Sequence, residues 1–290
     1  MKILVTGARG MVGQAVGEYC RSIGDFVFAY DHQGLDISDA DRVTQVLQTD
    51  QPEFVINCAA WTDVDGCELD RDRAFAANAT GPENLAAASR EIGAGLITIS
   101  TDYVFDGSKD GFYTQRDQPR PESIYGLSKL EGERWAQLAN ARAIVVRTGF
   151  IFGPGGTNFL STIIERAKRG ENLKAIRDAF GTPTYAPALA RRLRELAELD
   201  LPGVFHVVSA GEGVSYEEFA RAALDLSGQT ATSLETVGMD SLSRPAPRPR
   251  NSRLKCLLSE AIGLKPLPFW KESLSDFAAM GPRSEAAAND

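Results

Sequence analysis

The sequence predicts an α/β fold in which a doubly wound parallel sheet carries helices on both faces. Two observations lead to this prediction: short apolar segments alternate with helical segments in the first half of the chain, and a glycine-rich turn follows the first apolar segment. The apolar segments are rich in valine and isoleucine, which is typical of strands buried on both faces of a parallel sheet. They lie at residues 3–5, 26–30, 54–58, 96–100 and 143–147.

Helical segments separate these predicted strands. Ser38 is the expected N-cap of the second helix, and Gly81 with Pro82 is expected to kink or divide the third. Because strands and helices alternate, the connections should be crossovers between parallel strands. The predicted helices lie at residues 12–22, 39–48, 71–91 and 123–138.

The second half of the chain is less regular and predicts a smaller, mixed domain. Ser215 and Glu218 form a capping box that should open a helix ending near Leu226. Prolines between Arg244 and Arg253 exclude a regular helix there and predict an extended, basic loop. Two further helices and a strand are expected at residues 159–168, 187–198 and 203–208.

This change of pattern divides the chain into two domains and a tail. The sheet domain is expected at residues 1–150, rejoined by part of 184–210, and the second domain at residues 151–277. The final segment, residues 281–290, is small and polar, so we expect it to be disordered.

The charge and hydropathy of the chain exclude several classes of partner. The net charge of −8 argues against nucleic acid and against an anionic membrane surface. No apolar segment approaches the roughly 20 residues of a membrane span, and Gly7 comes too early for a signal peptide. We therefore expect a cytoplasmic protein, in which an anionic small ligand would need a local cluster of arginine or lysine.

The cysteines and histidines give no sign of a metal site. The four cysteines lack a Cys-x-x-Cys pairing, so we expect reduced thiols. His32 and His206 are the only histidines, and neither has the spacing of a metal ligand. No metal ligand is therefore predicted.

A glycine-rich turn joins the first predicted strand to the first helix. Its spacing, Gly-x-x-Gly-x-x-Gly, permits a tight turn and lets the pyrophosphate of a dinucleotide rest on the helix N-terminus. This context predicts a Rossmann-type sheet that binds NADPH or NADH. The residues of this turn expected at the cofactor are Gly7, Arg9, Gly10, Met11, Val12 and Gly13.

Asp31 bears on the choice between the two dinucleotides. A carboxylate at the end of the second strand can bind the adenosine ribose and would repel a 2′-phosphate, which favours NADH. Arg9 can offset that repulsion, so NADPH stays open. Asp36 and Ile37 either flank the adenine or form a turn before the Ser38 cap.

Small or hydroxylated side chains close the third and fourth predicted strands. Cys58, Ala59 and Ala60 would let the cofactor lie against the third strand, although close packing explains them equally well. Ser100 and Thr101 end the fourth strand, so their hydroxyl groups should point into the ligand crevice. We expect Ser100 at the cofactor and Thr101 at a reacting group.

Tyr125 and Lys129 form the most informative pair in the chain. They lie four residues apart, so both side chains share one face of the predicted helix. A tyrosine has an unperturbed pKa of about 10, and a neighbouring ammonium should lower that pKa by favouring the phenolate. With Thr101, the pair would converge on one carbonyl and transfer a proton to it.

These residues resemble the pattern of the extended short-chain dehydrogenase/reductase family. The resemblance implies hydride transfer from a nicotinamide cofactor to a carbonyl, with Tyr125 as general acid and Thr101 orienting the carbonyl. It also implies that Lys129 binds the nicotinamide ribose and that Asn78 supports a water relay to this lysine. The residues that carry the resemblance are Gly7, Gly10, Gly13, Asn78, Thr101, Tyr125 and Lys129.

Within that family, longer segments are similar to the dTDP-4-dehydrorhamnose reductases. The similarity covers residues 1–277 and implies reduction of the C4 keto group of a nucleotide-linked 6-deoxy sugar. The simplest case is dTDP-4-dehydro-β-L-rhamnose, reduced to dTDP-L-rhamnose, and a homodimer is left open. The similar segments are residues 100–107, 147–153, 180–184, 248–254 and 267–274.

The basic loop is the expected binding site for the substrate diphosphate. Arg248, Arg250 and Arg253 form a local cluster, and guanidinium groups suit phosphate oxygens. One of them should contact the diphosphate, unless the loop is simply a solvated basic segment. The residues expected at the substrate are Thr101, Asp102, Phe150, Arg248, Asn251 and Arg253.

Several positions near the expected sugar site differ from the family pattern. The reductases usually have asparagine where Ser123 stands, tryptophan at Phe150 and glutamine at Ala179, and Lys-Ala where Gly66 and Cys67 stand. The reduction chemistry is unaffected by these differences. A different nucleotide 4-keto sugar therefore stays an alternative substrate.

Three other functions share the fold. A 4,6-dehydratase needs glutamate directly after Asp102, where this chain has Tyr103, so dehydration is disfavoured. A 4-epimerase would hold its NAD tightly and give no net redox change. A non-catalytic dinucleotide-binding subunit, like the regulatory β subunit of methionine adenosyltransferase, is the alternative outside the enzymes. Retention of Thr101, Tyr125 and Lys129 favours an enzyme.

Overall fold

The computed structural model describes residues 1–280, and the disordered tail predicted at 281–290 lies outside the described residues. Its centre is a six-stranded parallel sheet in the order β2-β1-β3-β4-β5-β10. The strands are β1 (Lys2–Thr6), β2 (Phe26–Tyr30), β3 (Phe54–Asn57), β4 (Gly95–Thr101), β5 (Ala143–Thr148), β6 (Ile151–Phe152), β7 (Leu173–Ile176), β8 (Phe180–Gly181), β9 (Thr184–Tyr185), β10 (Gly203–His206), β11 (Ser209–Ala210), β12 (Val214–Ser215), β13 (Leu234–Val237) and β14 (Leu267–Phe269).

The helices follow the strands in the alternation that the sequence predicts. A π-helix at Ala76–Thr80 and 3₁₀ turns at Asp102–Val104 and Met239–Ser241 complete the elements. The α-helices are α1 (Met11–Ser22), α2 (Ala40–Asp50), α3 (Val64–Leu69), α4 (Arg71–Phe75), α5 (Gly81–Glu91), α6 (Ile124–Ala139), α7 (Phe159–Lys168), α8 (Ala186–Leu199), α9 (Tyr216–Leu226), α10 (Leu257–Ala261) and α11 (Trp270–Met280).

Alternate side chains of the central strands pack against helices on opposite faces of the sheet. On β1, Ile3 and Val5 belong to the apolar core that contains Val16 of α1 and Leu193 of α8. Leu4 points to the other core, which contains side chains of α2 and α5. This two-sided burial confirms the doubly wound parallel sheet.

The strand predictions are confirmed to within one residue at each end, except that β10 ends at His206 and not at residue 208. The predicted cap of the second helix is wrong. Asp39, not Ser38, caps α2 by accepting a hydrogen bond from the Arg42 amide, because Ser38 is held in a turn by the Asp36 carboxylate.

The third helical segment is divided, as expected, but the irregular part precedes Gly81 and Pro82. The π-helix at Ala76–Thr80 stands between α4 and α5, and Pro82 is the second residue of α5. Because Thr80 and Gly81 keep right-handed helical dihedral angles, the helical backbone continues from the π-helix into α5.

The second lobe packs three helices around an aromatic core. Side chains of α7, α9 and α11 surround Phe152, Phe219 and Trp270. The capping box at Ser215 is present, as predicted. Although α8 and β10 lie beyond residue 150, α8 packs on α1 and β10 pairs with β5 in the central sheet.

The basic segment between Arg244 and Arg253 contains no helix, which confirms the sequence prediction. Asn251 forms an isolated β-bridge with Phe180, and Leu254, the residue after the segment, forms one with Tyr113. The segment is therefore paired with two other parts of the chain. Every helix in the described part of the chain is too short or too polar to cross a bilayer.

Candidate active site

Two adjoining cavities open at the carboxyl edge of the central sheet, where ligands bind in such folds. Including the space that opens to solvent, the larger cavity has a volume of about 1480 Å³ and the smaller cavity of about 1190 Å³. Their walls share Gly10, Cys58, Ala59 and Ala60, so together they form one elongated site.

The glycine turn forms the floor between the two cavities. Gly7 has a φ of +63°, and a Cβ there would lie 2.7 Å from the backbone nitrogen of Ala59. A Cβ on Gly13 would lie 2.2 Å from the Gly7 carbonyl oxygen. Since only glycine fits at these positions, the backbone leaves a cradle at the start of α1. A dinucleotide pyrophosphate fits this cradle because the amides at a helix N-terminus favour anions.

The part of the site formed by the smaller cavity suits an adenosine. Asp31 and Arg9 line this cavity and form an ion pair of 2.7 Å. Asp31 also accepts a hydrogen bond from the Gly34 amide. Asp36 and Ile37 line the same cavity while also forming the turn before α2, so the two interpretations of this pair are compatible.

Asn78 supports the wall of this cavity. Its side chain bonds both the amide and the carbonyl of Trp61, and its amide nitrogen also donates to Ser128. The π-helix orients Asn78 toward these partners. The water relay that the family resemblance implies for Asn78 stays a prediction.

Thr101, Tyr125 and Lys129 meet in the wall of the larger cavity. Thr101 ends β4, and α6, which Ser123 caps, carries Tyr125 and Lys129 on one face because they lie four residues apart. All three side chains are buried. The Lys129 ammonium donates a 2.6 Å hydrogen bond to the carbonyl oxygen of Ile99.

The pKa of Tyr125 departs from the direction predicted by the Tyr-x-x-x-Lys spacing. Burial raises the pKa of Tyr125 well above its ordinary value, and a hydrogen bond with Thr101 opposes this only in part. Burial also lowers the pKa of Lys129 to about 8. The predicted lowering for Tyr125 is therefore wrong for the chain alone, because burial penalises both the phenolate and the ammonium.

Asp102 lies beside Thr101 in the same wall. Its carboxyl group presses against Gly149, where a Cβ would lie 2.4 Å from Oδ2. Within residues 1–280, Oδ2 has no hydrogen-bond partner. Burial raises the pKa of Asp102 to about 6, against hydrogen bonding from Ser252 and Thr101.

Aromatic rings form the opposite wall of the larger cavity. Phe150 has a φ of +46°, which is uncommon for a bulky residue and is typical of functional sites. Its ring lies 4.3 Å from that of Tyr216, and the ring of Tyr103 lies 5.9 Å from that of Tyr125. We did not predict Tyr103 or Tyr216 as site residues, although the capping box at Ser215 places Tyr216 at the first position of a helix.

The basic loop closes one end of the aromatic wall. Arg248 and Arg244 line a small pocket that shares Tyr103, Phe150 and Tyr216 with the larger cavity. Arg248 makes two hydrogen bonds, of 2.6 and 2.8 Å, to the Asp65 carboxylate. In the part of the chain that the structure describes, Arg244 has no ion pair.

The other predicted residues of this loop hold the loop itself. Asn251 donates to the carbonyls of Lys109 and Gly111, and its oxygen accepts from the Arg253 guanidinium. Arg250 pairs with Asp178 and Asp240. Neither Asn251 nor Arg253 lines the larger cavity within residues 1–280. Their contact with the substrate stays a prediction.

No group of three acidic, histidine or cysteine side chains among the described residues is placed to hold a metal ion. The groups that the wall of the larger cavity offers include hydroxyl, ammonium and carboxyl groups. Such a site can orient a carbonyl and pass it a proton, and a nicotinamide dinucleotide in the glycine cradle would supply the hydride.

Comparison with known proteins gives the family of this chain. Residues 1–281 match the family model described as RmlD substrate binding domain. The dTDP-4-dehydrorhamnose reductase of Mycolicibacterium smegmatis is 37% identical over 281 residues, which is 96% of this chain and 85% of that protein.

Solved structures agree with that match. A dTDP-4-dehydrorhamnose reductase from Clostridium acetobutylicum has a TM-score of 0.93 at 37% identity and covers 97% of this chain and 99% of its own. The dTDP-4-dehydrorhamnose reductase of Bacillus anthracis, solved in complex with NADP, has a TM-score of 0.93 at 33% identity, over 96% of this chain and 99% of its own. The chain belongs to the RmlD family, the family of the dTDP-4-dehydrorhamnose reductases.

Proposed function

We propose that the chain reduces the C4 keto group of a nucleotide-linked 6-deoxy sugar, with dTDP-4-dehydro-β-L-rhamnose as the substrate and dTDP-L-rhamnose as the product. NADPH or NADH is the reductant. The observation that carries this proposal is the buried group of Thr101, Tyr125 and Lys129, which faces a cavity continuous with the glycine cradle. A different nucleotide 4-keto sugar is the alternative substrate.

The three side chains divide the proton chemistry among them. Thr101 hydrogen-bonds the carbonyl oxygen and orients the sugar. As C4 gains hydride, Tyr125 gives its hydroxyl proton to the developing alkoxide. Burial raises the pKa of Tyr125, so the hydroxyl carries its proton until the alkoxide forms. Lys129 then faces a phenolate and stabilises its charge.

The two cavities suggest how the cofactor lies. The pyrophosphate rests on Gly10, Met11 and Val12 at the start of α1, and the adenosine occupies the cavity of Asp31, Asp36 and Ile37. The remaining contacts come from residues that line one or both of the two cavities. They are Gly7, Arg9, Gly13, Cys58, Ala59, Ala60 and Ser100, with Asn78 behind the wall.

The substrate sugar lies between the catalytic group and the aromatic wall. Asp102 binds a sugar hydroxyl from the cavity wall, and Phe150 covers the sugar ring. Arg248 is the best placed of the predicted arginines for the diphosphate, and Arg244 joins it in the same pocket. Asn251 and Arg253 hold the loop that presents them.

Three broader expectations belong to the same proposal. The cofactor domain comprises residues 1–150 with part of 184–210, and residues 151–277 bind the substrate. The enzyme works in the cytoplasm, and a homodimer is open to test by sedimentation.

The test of this function is the absorbance of the reduced nicotinamide with dTDP-4-dehydro-6-deoxy-L-mannose as substrate. NADPH and NADH are supplied separately, and Tyr125→Phe is the control. Wild type should oxidise at least one of them, and Tyr125→Phe should be slower by roughly a hundredfold or more, the scale for losing a positioned acid. Near-normal turnover in the variant would refute the role of Tyr125.

The same assay separates the enzyme from a non-catalytic subunit. A binding subunit would bind the cofactor, detected by fluorescence, and would oxidise none of it. Turnover of a different 4-keto sugar, with this one inert, would support the alternative substrate.

A further inference from the structure

A row of buried polar side chains crosses the central sheet behind the catalytic group. Ser100 on β4 is paired with Arg147 on β5, and Arg147 is paired with His206 on β10. Glu133 reaches this row from α6. These side chains are all buried, so their charges act at close range and largely free of solvent screening.

Glu133 is the centre of this row. The Arg147 guanidinium donates to both of its carboxylate oxygens, at 2.9 and 2.6 Å, and the Ser100 hydroxyl donates to one of them at 2.5 Å. Three donors around one carboxyl group are the pattern of an ionised carboxylate. Such a network fixes its members because each would lose several partners by moving.

The geometry of α6 connects Glu133 with the catalytic residues. Tyr125, Lys129 and Glu133 follow one another at intervals of four residues, so they lie along one face of the helix. Lys129 is bonded to the carbonyl of Ile99, and Glu133 to the hydroxyl of Ser100, the next residue of β4. One helix face is thus anchored at two consecutive points of one strand.

We propose that Glu133 is a positioning residue of the active site: its carboxylate, held by Arg147 and Ser100, is the buried counter-charge of the Lys129 ammonium. This inference rests on the proposed function only through the catalytic role of Lys129. Glu133 is not among the residues that line the two cavities. It acts on the reaction through the charge and the position of the lysine.

The other groups that face Lys129 cannot take this role. Burial raises the pKa of Cys58 to about 12 and that of Cys67 to about 11, so both thiols are neutral at physiological pH. Tyr125 is neutral for the same reason. Burial lowers the pKa of Lys129, and Glu133 is the first of the groups that oppose this.

The net charge of the network suits the reaction. Burial and the neighbouring Arg147 lower the pKa of His206 to about 3, so the imidazole is neutral. Arg147 and Lys129 carry two positive charges against one negative charge on Glu133. The remaining positive charge is available to stabilise the phenolate that forms when Tyr125 gives up its proton.

The direct test is the pKa of Lys129, measured by NMR titration of protein labelled with ¹³C at the lysine ε-carbons. Lys129→Met assigns the signal. Glu133→Gln keeps the shape of the side chain and removes its charge, so the pKa of Lys129 should fall by about one unit or more. Glu131→Gln is the matched control on the same helix, since Glu131 pairs with Arg134 at the surface. It should leave the pKa of Lys129 unchanged.

A second variant should shift the pKa of Lys129 in the opposite direction. Arg147→Met removes a neighbouring positive charge and leaves the Glu133 carboxylate unneutralised, so the pKa of Lys129 should rise. A structural defect alone would not move the pKa in opposite directions in the two variants. If Glu133→Gln does not fold, Arg147→Met decides the question.

The activity assay adds an independent readout. Because the protonated lysine is the active form, the alkaline limb of the kcat profile should move to lower pH in Glu133→Gln. An unchanged pKa of Lys129 in Glu133→Gln, or a pKa that is unchanged or lower in Arg147→Met, would overturn the proposal. The NMR result stands whether or not the wild type reduces the proposed sugar, so failure of the function and failure of the inference are distinguishable.

Discussion

Asp102 shows at the scale of one residue how burial creates a reactive group. Burial raises the pKa of this side chain from the ordinary 3.8 to about 6, against opposing hydrogen bonds from Ser252 and Thr101. The folded chain therefore binds the carboxyl proton more tightly than the unfolded chain does. As the pH rises from about 4 to about 6 the folded state loses stability through this group, and above pH 6 the loss is complete.

Asp102→Asn should remove this dependence on pH. Relative to wild type, the free energy of unfolding of the variant should increase by about 2 kcal/mol between pH 4.5 and pH 7.5, since each unit of pKa shift corresponds to about 1.4 kcal/mol. Urea denaturation at several pH values measures the difference. Asp106→Asn is the matched control: hydrogen bonds lower the pKa of Asp106, so its pH dependence lies below about pH 4 and this variant should run parallel to wild type between pH 4.5 and pH 7.5. Parallel profiles for Asp102→Asn and wild type would contradict the prediction.

Single residues were also where sequence reasoning about the site was weakest. The spacing of Tyr125 and Lys129 correctly brings both side chains to one face of α6 beside Thr101. It does not reveal the depth of burial, which reverses the expected direction of the tyrosine pKa. Burial depends on what the rest of the chain places around the pair, and no local pattern carries that information.

At the scale of elements, the strands and helices of the sheet domain were largely predictable. The valine- and isoleucine-rich segments mark β1 to β5 because a strand buried on both faces must be apolar throughout. Helix boundaries that depend on competing hydrogen bonds were not predictable from the sequence. Ser38 and Asp39 can both cap a helix, and the choice falls on Asp39 because Asp36 already binds Ser38.

The start of α1 is the element on which cofactor binding depends. Gly13→Ala would place a methyl group 2.2 Å from the Gly7 carbonyl oxygen, which is backbone and cannot step aside cheaply. The glycine cradle must open to relieve this overlap, at a cost of about 1–3 kcal/mol. The dissociation constant for NADPH, measured by fluorescence, should therefore rise by about tenfold or more.

Gly17→Ala, one turn further along the same helix, is the matched control. A methyl group there meets only the far end of the Arg21 side chain, which is flexible. Since alanine is favoured over glycine in a helix by about 1 kcal/mol, this variant should bind NADPH normally and unfold at an equal or higher temperature. Equal affinity in both variants would show that the close contact at Gly13 does not shape the cofactor site.

At the scale of the whole molecule, the site is assembled from parts that no local pattern connects. Tyr103 follows β4, Tyr216 begins α9 and Arg244 begins the basic loop, yet all three border one pocket. The motifs identified β4 and α6 as catalytic elements. They could not show that α9 supplies the facing wall, because this convergence depends on how the second lobe packs.

The packing of the second lobe also determines where positive charge lies in a chain with a net charge of −8. A nucleotide diphosphate sugar is itself anionic, so its binding site needs positive charge. Arg244 and Arg248 supply that charge at the pocket that they border with Tyr103 and Tyr216. The Arg248 guanidinium lowers the pKa of Asp65 to about 2, which keeps the ion pair intact and holds the loop against α3 at physiological pH.

Arg244→Gln and Arg248→Gln should each raise KM for the dTDP-sugar by roughly tenfold, the scale of one charge-assisted hydrogen bond. The diphosphate is remote from C4 and is bound equally in the ground and transition states, so kcat should change little. Steady-state kinetics measure both constants. Arg250→Gln is the matched control, because the Arg250 guanidinium pairs with Asp178 and Asp240 and does not line the pocket of Arg244 and Arg248. An unchanged KM in both test variants would mean that the diphosphate binds elsewhere, and a fall in kcat without a rise in KM would place these arginines in the chemistry.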